Sequence, residues 1–370
     1  MEAVYLPLAI VLLSLLSFAN GSNDVSKSVA TLAGSGITSV RKAIYWGTIW
    51  TVAGGLSGMY WGLDIVRNIT HSIFNVSNDA SASLVFAIII PPALWVLIAS
   101  KKGWAVSTTH AVMGGMIGAG AAAFGSTGIA WHTTLNNIAL PLIVTPLLAL
   151  FIAYMASPFL KNTVGRIGRY KLCLFPAPKF LTVTSNKAVM MVPESDCVVC
   201  ECNAPQAAGN IGIHLTEDQL HWFTSGLLSF ARGLNDAPKL IAVIMPIALI
   251  SGVELNGWLF LITAIAMGAG GIISGKKVTQ MIGFKVTKMN HDQGFAANLV
   301  SSFLVIIASR FGMPVSITHV SVASIMGVGL SGNKGLNLRT VKLMLLAWII
   351  TVPAVALMSA GFYLLTEKII

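Results

Sequence analysis

The sequence predicts an all-α polytopic membrane protein, organised as an inverted-topology repeat with two broken helices and two re-entrant helical hairpins. Its composition predicts the membrane location, because 55% of the 370 residues are apolar and only 10% are charged, against roughly 25% charged in soluble proteins. Polar motifs that recur in the second half of the chain predict the repeat. This composition excludes a soluble enzyme, a disordered protein and a disulfide-stapled secreted module.

Charge-free stretches occur along the whole chain. A helix needs about 20 consecutive apolar residues to cross a bilayer, and a short helix in a soluble core does not. Because several stretches reach that length, we expect several crossings. The stretches without Asp, Glu, Lys or Arg are 3–23, 43–63, 80–100, 103–160, 240–253, 255–275, 311–333 and 343–366.

In chain order, the apolar segments divide into long crossings and closely joined pairs. The paired runs are separated by very short polar tips, so we expect each pair to form a hairpin that enters and leaves the membrane on one side. The two hairpins are 80–100 with 107–125 and 293–309 with 313–331. The long segments are 3–34, 43–62, 136–157, 217–250, 257–275 and 341–365.

One long polar stretch separates two membrane halves. We therefore expect a first membrane repeat, a cytoplasmic loop or linker, and a second, inverted membrane repeat, over residues 1–157, 158–216 and 217–370. The loop contains Cys197, Cys200 and Cys202, a spacing that could bind zinc or respond to redox state. Since no fourth ligand follows at a standard spacing, a loop of reduced thiols is the favoured interpretation.

The basic residues predict the orientation in the membrane. If the hairpins are re-entrant, 15 of the 23 Lys and Arg residues share one face, whereas the opposite face keeps Arg67 and Lys368. The positive-inside rule assigns the basic face to the cytoplasm. We expect a multi-pass protein of the cell membrane with its central loop in the cytoplasm and both termini outside. The net charge of +10 then reflects topology, and no nucleic-acid partner is predicted.

Six further basic residues lie within or beside the predicted membrane segments. Ionisable groups there are costly and by default mark a substrate or ion pathway, although Lys and Arg also extend to the lipid headgroups. Both interpretations remain open for those at the hairpin tips. The six are Lys27, Lys101, Lys102, Arg232, Lys239 and Arg310.

Two motifs recur in the same order in both halves. Residues 18–27 read Phe-Ala-Asn-Gly-Ser-Asn-Asp-Val-Ser-Lys, and residues 230–239 read Phe-Ala-Arg-Gly-Leu-Asn-Asp-Ala-Pro-Lys. Further along, Ser100-Lys-Lys-Gly-Trp-Ala-Val-Ser-Thr-Thr-His matches Ser309-Arg-Phe-Gly-Met-Pro-Val-Ser-Ile-Thr-His, and the offsets of the two matches are 212 and 209 residues. Three crossings and one hairpin per half place the second half in the opposite orientation, as in many secondary transporters.

The first motif carries hard oxygen ligands for a small cation. Glycine permits a helix to unwind, and unwound backbone is tolerated at membrane depth only where it faces protein or a wet cavity. Freed carbonyl groups would then join Asn23, Asp24, Asn235 and Asp236. Capping of a restarted helix is the alternative role of these Asx residues. Two symmetric copies inside the bilayer favour the ion or substrate role.

The hairpin tips carry the complementary chemistry for an anion. A helix N-terminus offers unpaired N–H groups and partial positive charge, which together bind phosphate-like groups, although an ordinary Ser/Thr cap would have the same sequence. Ile317 would contribute its backbone N–H. For His110 and His319, helix packing and proton handling both remain open. The hydroxyl donors are Ser107, Thr108, Thr109, Ser316 and Thr318.

Carboxylates beside an anion site have two explanations. A cation bound by Asp24 and Asp236 would offset their charge and bridge to the anion. Alternatively, an ionised carboxylate would accept a hydrogen bond from a protonated oxygen of the anion. Phosphate carries such an oxygen near neutral pH, whereas sulfate does not. No phosphate loop of an ATP-driven protein is present in the sequence. The predicted ligands of this cation are Asn23, Asp24, Ser107, Asn235, Asp236 and Ser316.

The paired motifs resemble the GANDVANA-type signatures of the inorganic phosphate transporter (PiT) family, and the resemblance covers nearly the whole chain. It implies an inverted-repeat symporter that moves inorganic phosphate with sodium in some members and with protons in others. It also implies that Asn23, Asp24, Asn235, Asp236 and the two hairpin motifs form the phosphate and cation sites. Two glutamates of many members are replaced here by Trp50 and Asn298, which bears on the coupling ion more than on the substrate.

We therefore expect a secondary active transporter that takes up inorganic phosphate with sodium by alternating access. It would use no cofactor apart from sodium as coupling ion and would contact phosphate, sodium and the lipid bilayer; a homo-oligomer remains open. The alternatives are a proton-coupled phosphate or metal-phosphate permease and a sulfate permease. An intramembrane hydrolase built from Asp24, Ser107 and His110 is disfavoured because each residue has a counterpart in the other half, so no enzyme is predicted.

Overall fold

The computed structural model describes residues 2–72, 81–167, 216–250, 257–332 and 335–369, together with five short strands between 170 and 213. Cys197 and Cys202 of the predicted loop lie outside the described residues, as does Asn75, which lies between the predicted segment 43–62 and the first hairpin. The strands form an antiparallel sheet of order β4-β1-β5 and a β2-β3 pair in the central loop. Their bounds are β1 Tyr170–Cys173, β2 Leu181–Val183, β3 Val189–Met191, β4 Cys200–Glu201 and β5 Gly212–Ile213.

The described membrane halves are helical. A 3₁₀ turn, Ser126–Gly128, and a π-helical turn, Leu135–Ala139, lie on either side of α6. The helices are α1 Glu2–Gly34, α2 Val40–Trp61, α3 Leu63–Ser72, α4 Ala82–Lys102, α5 Thr108–Phe124, α6 Trp131–Thr134, α7 Leu140–Ile167, α8 Glu217–Ile250, α9 Gly257–Ser274, α10 Lys276–Lys285, α11 His291–Arg310, α12 Ile317–Ser331 and α13 Leu338–Thr366.

Six helices in the described ranges are long and apolar enough to cross a membrane. The inner ones pack on protein, and α1 contacts α9, α4, α8 and α10. By contrast, α7 and α13 leave large apolar side chains exposed: Leu147 is 64% exposed and Leu357 is 77% exposed. Continuous apolar exposure of this kind suits lipid rather than water. The prediction of an all-α multi-pass membrane protein is confirmed.

Both predicted hairpins form as pairs of helices. The first consists of α4 and α5 and the second of α11 and α12. At each tip a glycine adopts a positive φ, 77° at Gly103 and 66° at Gly312. Side chains other than glycine rarely adopt this conformation, so the matched glycines of the second motif serve the same reversal of the chain.

The expectation of two broken helices is wrong. Both α1 and α8 continue without interruption through the first motif. Its glycines permit close helix packing instead, because Gly21 lies against the backbone of Met267 in α9 and Gly233 lies against that of Thr51 in α2, leaving no space for a Cβ. Small residues allow this approach between membrane helices. The amide nitrogens of Asn23 and Asn235 find partners on the hairpins while the helices remain continuous.

Candidate functional site

The asparagines of the first motif attach each long helix to the hairpin of the same half. In the first half, Asn23 Nδ2 donates to Ser100 Oγ and to the Trp104 carbonyl, both at 2.9 Å. In the second half, Asn235 Nδ2 donates to Ser309 Oγ at 2.7 Å. The two copies of the motif therefore make equivalent contacts with two copies of the hairpin motif.

Each aspartate of the motif forms an ion pair with the lysine three residues later. Lys27 Nζ contacts Asp24 Oδ1, and Lys239 Nζ lies 2.7 Å from Asp236 Oδ1. All four residues are at most 5% exposed. A buried carboxylate without a partner would be very costly, so these lysines are the partners that the structure provides.

The lysines also connect the two halves of the molecule. Lys27 Nζ donates to the Val106 carbonyl of its own hairpin at 2.6 Å and to Thr318 Oγ1 of the other hairpin. Lys239 Nζ donates to the Val315 carbonyl at 2.8 Å and to Thr109 Oγ1 at 3.1 Å. The same pattern thus runs in both directions between the halves.

The two hairpin tips meet at their serines. Ser107 caps α5 by accepting from the His110 N–H at 3.2 Å, and Ser316 caps α12 by accepting from the His319 N–H at 3.3 Å. Ser316 Oγ also donates to Ser107 Oγ at 2.9 Å. The caps of two helix N-termini, the preferred ends for anions, are therefore in direct contact.

Asn20 lies between the two carboxylates and was missed by the sequence analysis. Its Nδ2 donates to Asp24 Oδ2 at 2.8 Å and to Asp236 Oδ2 at 3.2 Å. Thr108 Oγ1 donates to Asp24 Oδ2 at 3.0 Å. The signal for Asn20 in the sequence was its place inside the repeated motif. Because the second half has Arg232 at the matching position, the comparison of the two halves did not identify Asn20.

That arginine, Arg232, gives a positive net charge to the cluster of buried charged residues around the two aspartates. It is fully buried, its Nη2 lies 3.7 Å from Met267 Sδ, and its Nε and Nη1 have no hydrogen-bond partner. The buried Asp, Lys and Arg residues in the described ranges are Asp24, Lys27, Arg232, Asp236 and Lys239. Three cations against two carboxylates leave a formal charge of +1, which favours an anionic ligand.

Three buried amide oxygens at the cluster also lack partners. They are the Oδ1 atoms of Asn20, Asn23 and Asn235. A buried polar atom without a hydrogen bond is costly, so these unsatisfied acceptors point to a further donor or a cation. A cavity of about 20 Å³ reaches the cluster and is lined in part by Asn20, Thr108, Thr109, Asp236 and Lys239.

This cavity is too small for a tetrahedral oxyanion. A volume of roughly 10–15 Å³ on this measure corresponds to one water molecule, so the approximately 20 Å³ present has space for little more. The hydrogen bond between the two serines closes the tips. The two tips are therefore in direct contact in this conformation.

The remaining predicted residues take different positions. Thr109 and Thr318 accept hydrogen bonds from the lysines, and Ile317 is the first residue of α12. The rings of His110 and His319 pack with centroids 4.3 Å apart, and His110 Nδ1 lies 2.9 Å from Ser107 Oγ. The two histidine rings therefore pack against each other beside the Ser107 cap.

Trp50 and Asn298 are the two positions that depart from the family signature. Trp50 packs edge-on against Trp46, with ring centroids 5.6 Å apart. Asn298 is buried in α11 and its Nδ2 has no hydrogen-bond partner. Neither residue has a hydrogen bond to the aspartates or lysines of the cluster in the described part of the chain.

Comparison with known proteins identifies similar chains of nearly equal length. A family model described as the phosphate transporter family matches residues 20–359. A protein of Pyrococcus abyssi named "Putative phosphate permease" is 24% identical over 395 residues, covering 96% of each chain. A protein of the same description from Haemophilus influenzae is 27% identical over 384 residues, covering 92% of this chain and 91% of its own.

One solved structure shares the fold over the full length. It is described as "the sodium-dependent phosphate transporter" and superimposes with a TM-score of 0.78 at 23% identity, covering 99% of this chain and 100% of the other. The two molecules therefore have the same arrangement of helices.

Proposed function

The chain belongs to the phosphate transporter family, and on that premise we propose that it takes up inorganic phosphate by secondary active transport with alternating access. Membership makes the chain a phosphate transporter rather than an enzyme. The observation that carries the mechanism is the meeting of two hairpin N-termini above a buried cluster of charge +1. The equivalent contacts in the two halves suit a site that opens alternately to two faces, as in inverted-repeat transporters.

We place the phosphate between the hairpin tips. When the hydrogen bond between Ser107 and Ser316 opens, both hydroxyls and the N–H groups of the two helix starts become donors to phosphate oxygens. The positive charges of Lys27, Lys239 and Arg232 favour the anion. An ionised aspartate can accept a hydrogen bond from a protonated phosphate oxygen. The proposed phosphate ligands are Asp24, Ser107, Thr108, Thr109, Asp236, Ser316, Ile317 and Thr318.

Sodium is the first candidate for the coupling ion. The structural neighbour is described as sodium-dependent, and the unpartnered amide oxygens of Asn23 and Asn235 are neutral ligands of the type that hard cations prefer. Of the predicted sodium ligands we retain the neutral oxygens of Asn23, Ser107, Asn235 and Ser316, because Asp24 and Asp236 are each already paired with a lysine. Protons are the second candidate, because both carboxylates already have an ammonium partner and need no further cation for charge balance.

Uptake into proteoliposomes tests transport and coupling together. We expect labelled phosphate to accumulate when an inward sodium gradient is imposed at equal pH on both sides. A pH gradient without sodium is the control that detects proton coupling. Accumulation driven by the pH gradient alone would replace sodium by protons, and absence of phosphate uptake under both gradients would contradict the proposed function.

The orientation can be tested by labelling with a membrane-impermeant thiol reagent. A cysteine introduced by Asn75→Cys should react in intact cells, because the loop after α3 is proposed to lie outside. Cys197 in the central loop should react only after permeabilisation, since the basic residues place that loop in the cytoplasm. The reverse labelling pattern would invert the proposed topology and place both termini in the cytoplasm.

A further inference from the structure

The ammonium groups of Lys27 and Lys239 each have a complete set of oxygen partners. A lysine ammonium has three N–H donors. Those of Lys27 go to a carboxylate oxygen of Asp24, the Val106 carbonyl and the Thr318 hydroxyl. Carboxylate, carbonyl and hydroxyl oxygens are also the ligands that hard metal cations take in proteins, so the ammonium nitrogen lies where such a cation would bind.

The second lysine repeats this arrangement in the other half. Lys239 Nζ has a carboxylate oxygen of Asp236, the Val315 carbonyl and the Thr109 hydroxyl around it. Each lysine is separated from its aspartate by one helical turn, so the pairing is set by α1 and α8 themselves. The same three kinds of oxygen surround both lysines at equivalent positions, which would not be expected if the two lysines had unrelated roles.

We propose that Lys27 and Lys239 are resident counter-cations, which occupy the cation positions beside Asp24 and Asp236 and make sodium unnecessary at these two carboxylates. The proposal rests on the proposed phosphate transport and concerns the cations at its site. Any sodium that travels with phosphate binds through other oxygens, such as the unpartnered amide oxygen of Asn23 or Asn235. The two covalently attached charges stay with the protein and are not carried across the membrane.

Charge balance gives the reason for this assignment. With both lysines present, the cluster has a formal charge of +1 and can accept an anion without further cations. Removing one lysine lowers that charge to 0 and leaves a buried carboxylate without its ion-pair partner, which is strongly unfavourable. The vacated oxygens around it would then attract a small cation from solution. Neutral variants at either lysine should therefore bind one sodium ion more than the unmodified protein does at this site.

Equilibrium binding of inorganic phosphate to the purified full chain measures this requirement. Sodium chloride would be varied at fixed pH, with choline chloride holding the ionic strength constant. For Lys27→Asn and Lys239→Asn, each tenfold increase in sodium should raise phosphate affinity by about ten times more than it does in the unmodified chain. The reason is that one additional sodium ion is linked to phosphate binding. Lys42→Asn, at an exposed lysine, is the matched control and should leave the dependence unchanged.

Two further variants keep the result interpretable. Lys27→Met, which adds no oxygen or nitrogen ligand, should gain the same sodium dependence as Lys27→Asn if the vacated oxygens bind the ion. The double variant Asp24→Asn with Lys27→Asn should lose the gain, because the carboxylate that recruits sodium is absent. Thermal unfolding of each variant would establish that it is folded.

The outcomes separate the inference from the proposed function. An unchanged sodium dependence in the folded lysine variants would overturn the resident-cation assignment. Loss of phosphate binding at every sodium concentration in all of these variants would also overturn it, because the lysines would then be irreplaceable phosphate ligands. Failure of the unmodified chain to bind phosphate under any condition would instead contradict the proposed function.

Discussion

Asp24→Ala is expected to lower the free energy of unfolding by about 3–5 kcal/mol, because it leaves the buried ammonium of Lys27 without its carboxylate. Lys27 is fully buried and contacts Asp24 directly. The side chain has no solvent exposure through which water could replace that partner. Thermal or denaturant unfolding of the purified protein in detergent measures the change.

An exposed ion pair in the same chain provides the control. Asp64 and Arg67 are also three residues apart, with Nη1 and Oδ1 separated by 3.3 Å, but their side chains are 59% and 68% exposed. Asp64→Ala should cost only about 0–1 kcal/mol. Equal effects of the two alanine variants would contradict the buried pairing of Lys27.

A double variant separates stability from binding. Replacing both members of the buried pair, as in Asp24→Asn with Lys27→Met, removes both charges and should recover much of the lost stability. Phosphate uptake should remain impaired, since the carboxylate at the proposed site is gone. Recovery of uptake together with stability would remove Asp24 from the phosphate site.

Ser107→Ala and Ser316→Ala are each expected to weaken phosphate binding by about 5- to 150-fold, corresponding to about 1–3 kcal/mol for a lost donor at a buried site. Both hydroxyls lie at the meeting point of the two tips. Because they are proposed to contact one anion, their effects should not add in the double variant. Equilibrium phosphate binding measures all three.

Loss of a helix cap must be distinguished from loss of a phosphate ligand. Ser81 caps α4 by accepting from the Leu84 N–H at 3.2 Å, so Ser81→Ala removes a cap of the same kind outside the hairpin tip. It should lower stability by about 0.5–2 kcal/mol without changing phosphate affinity. If Ser81→Ala weakened phosphate binding as much as Ser107→Ala does, general destabilisation would explain the loss of affinity in both variants.

The helices and their order were predictable from the sequence. A membrane helix satisfies its backbone hydrogen bonds internally and must be about 20 apolar residues long, so charge-free stretches identify it locally. The predicted segment 217–250 coincides with Glu217–Ile250, and 257–275 with Gly257–Ser274. The short amphipathic helices α3 and α10 were missed, because they are half the length that this criterion requires.

The polar residues of the candidate site were predicted in part. Repetition of the motifs identified both aspartates and the serine caps, since two matched polar sequences in apolar surroundings are unlikely to be accidental. Repetition could not identify Asn20 or Arg232, which differ between the halves. Lys27 and Lys239 were recognised as costly in the membrane, but the carbonyl groups that surround them come from hairpins about 80 residues away.

The sequence by itself therefore determined the membrane helices, the two hairpins and the repeated polar residues, because these depend on local composition and spacing. Only the tertiary structure decided that α1 and α8 remain unbroken, that the serine caps meet, and that each lysine pairs with an aspartate while bridging the halves. These contacts join residues far apart in the chain. Their partners are chosen by how the helices pack and by the need to satisfy every buried charge, which no local pattern encodes.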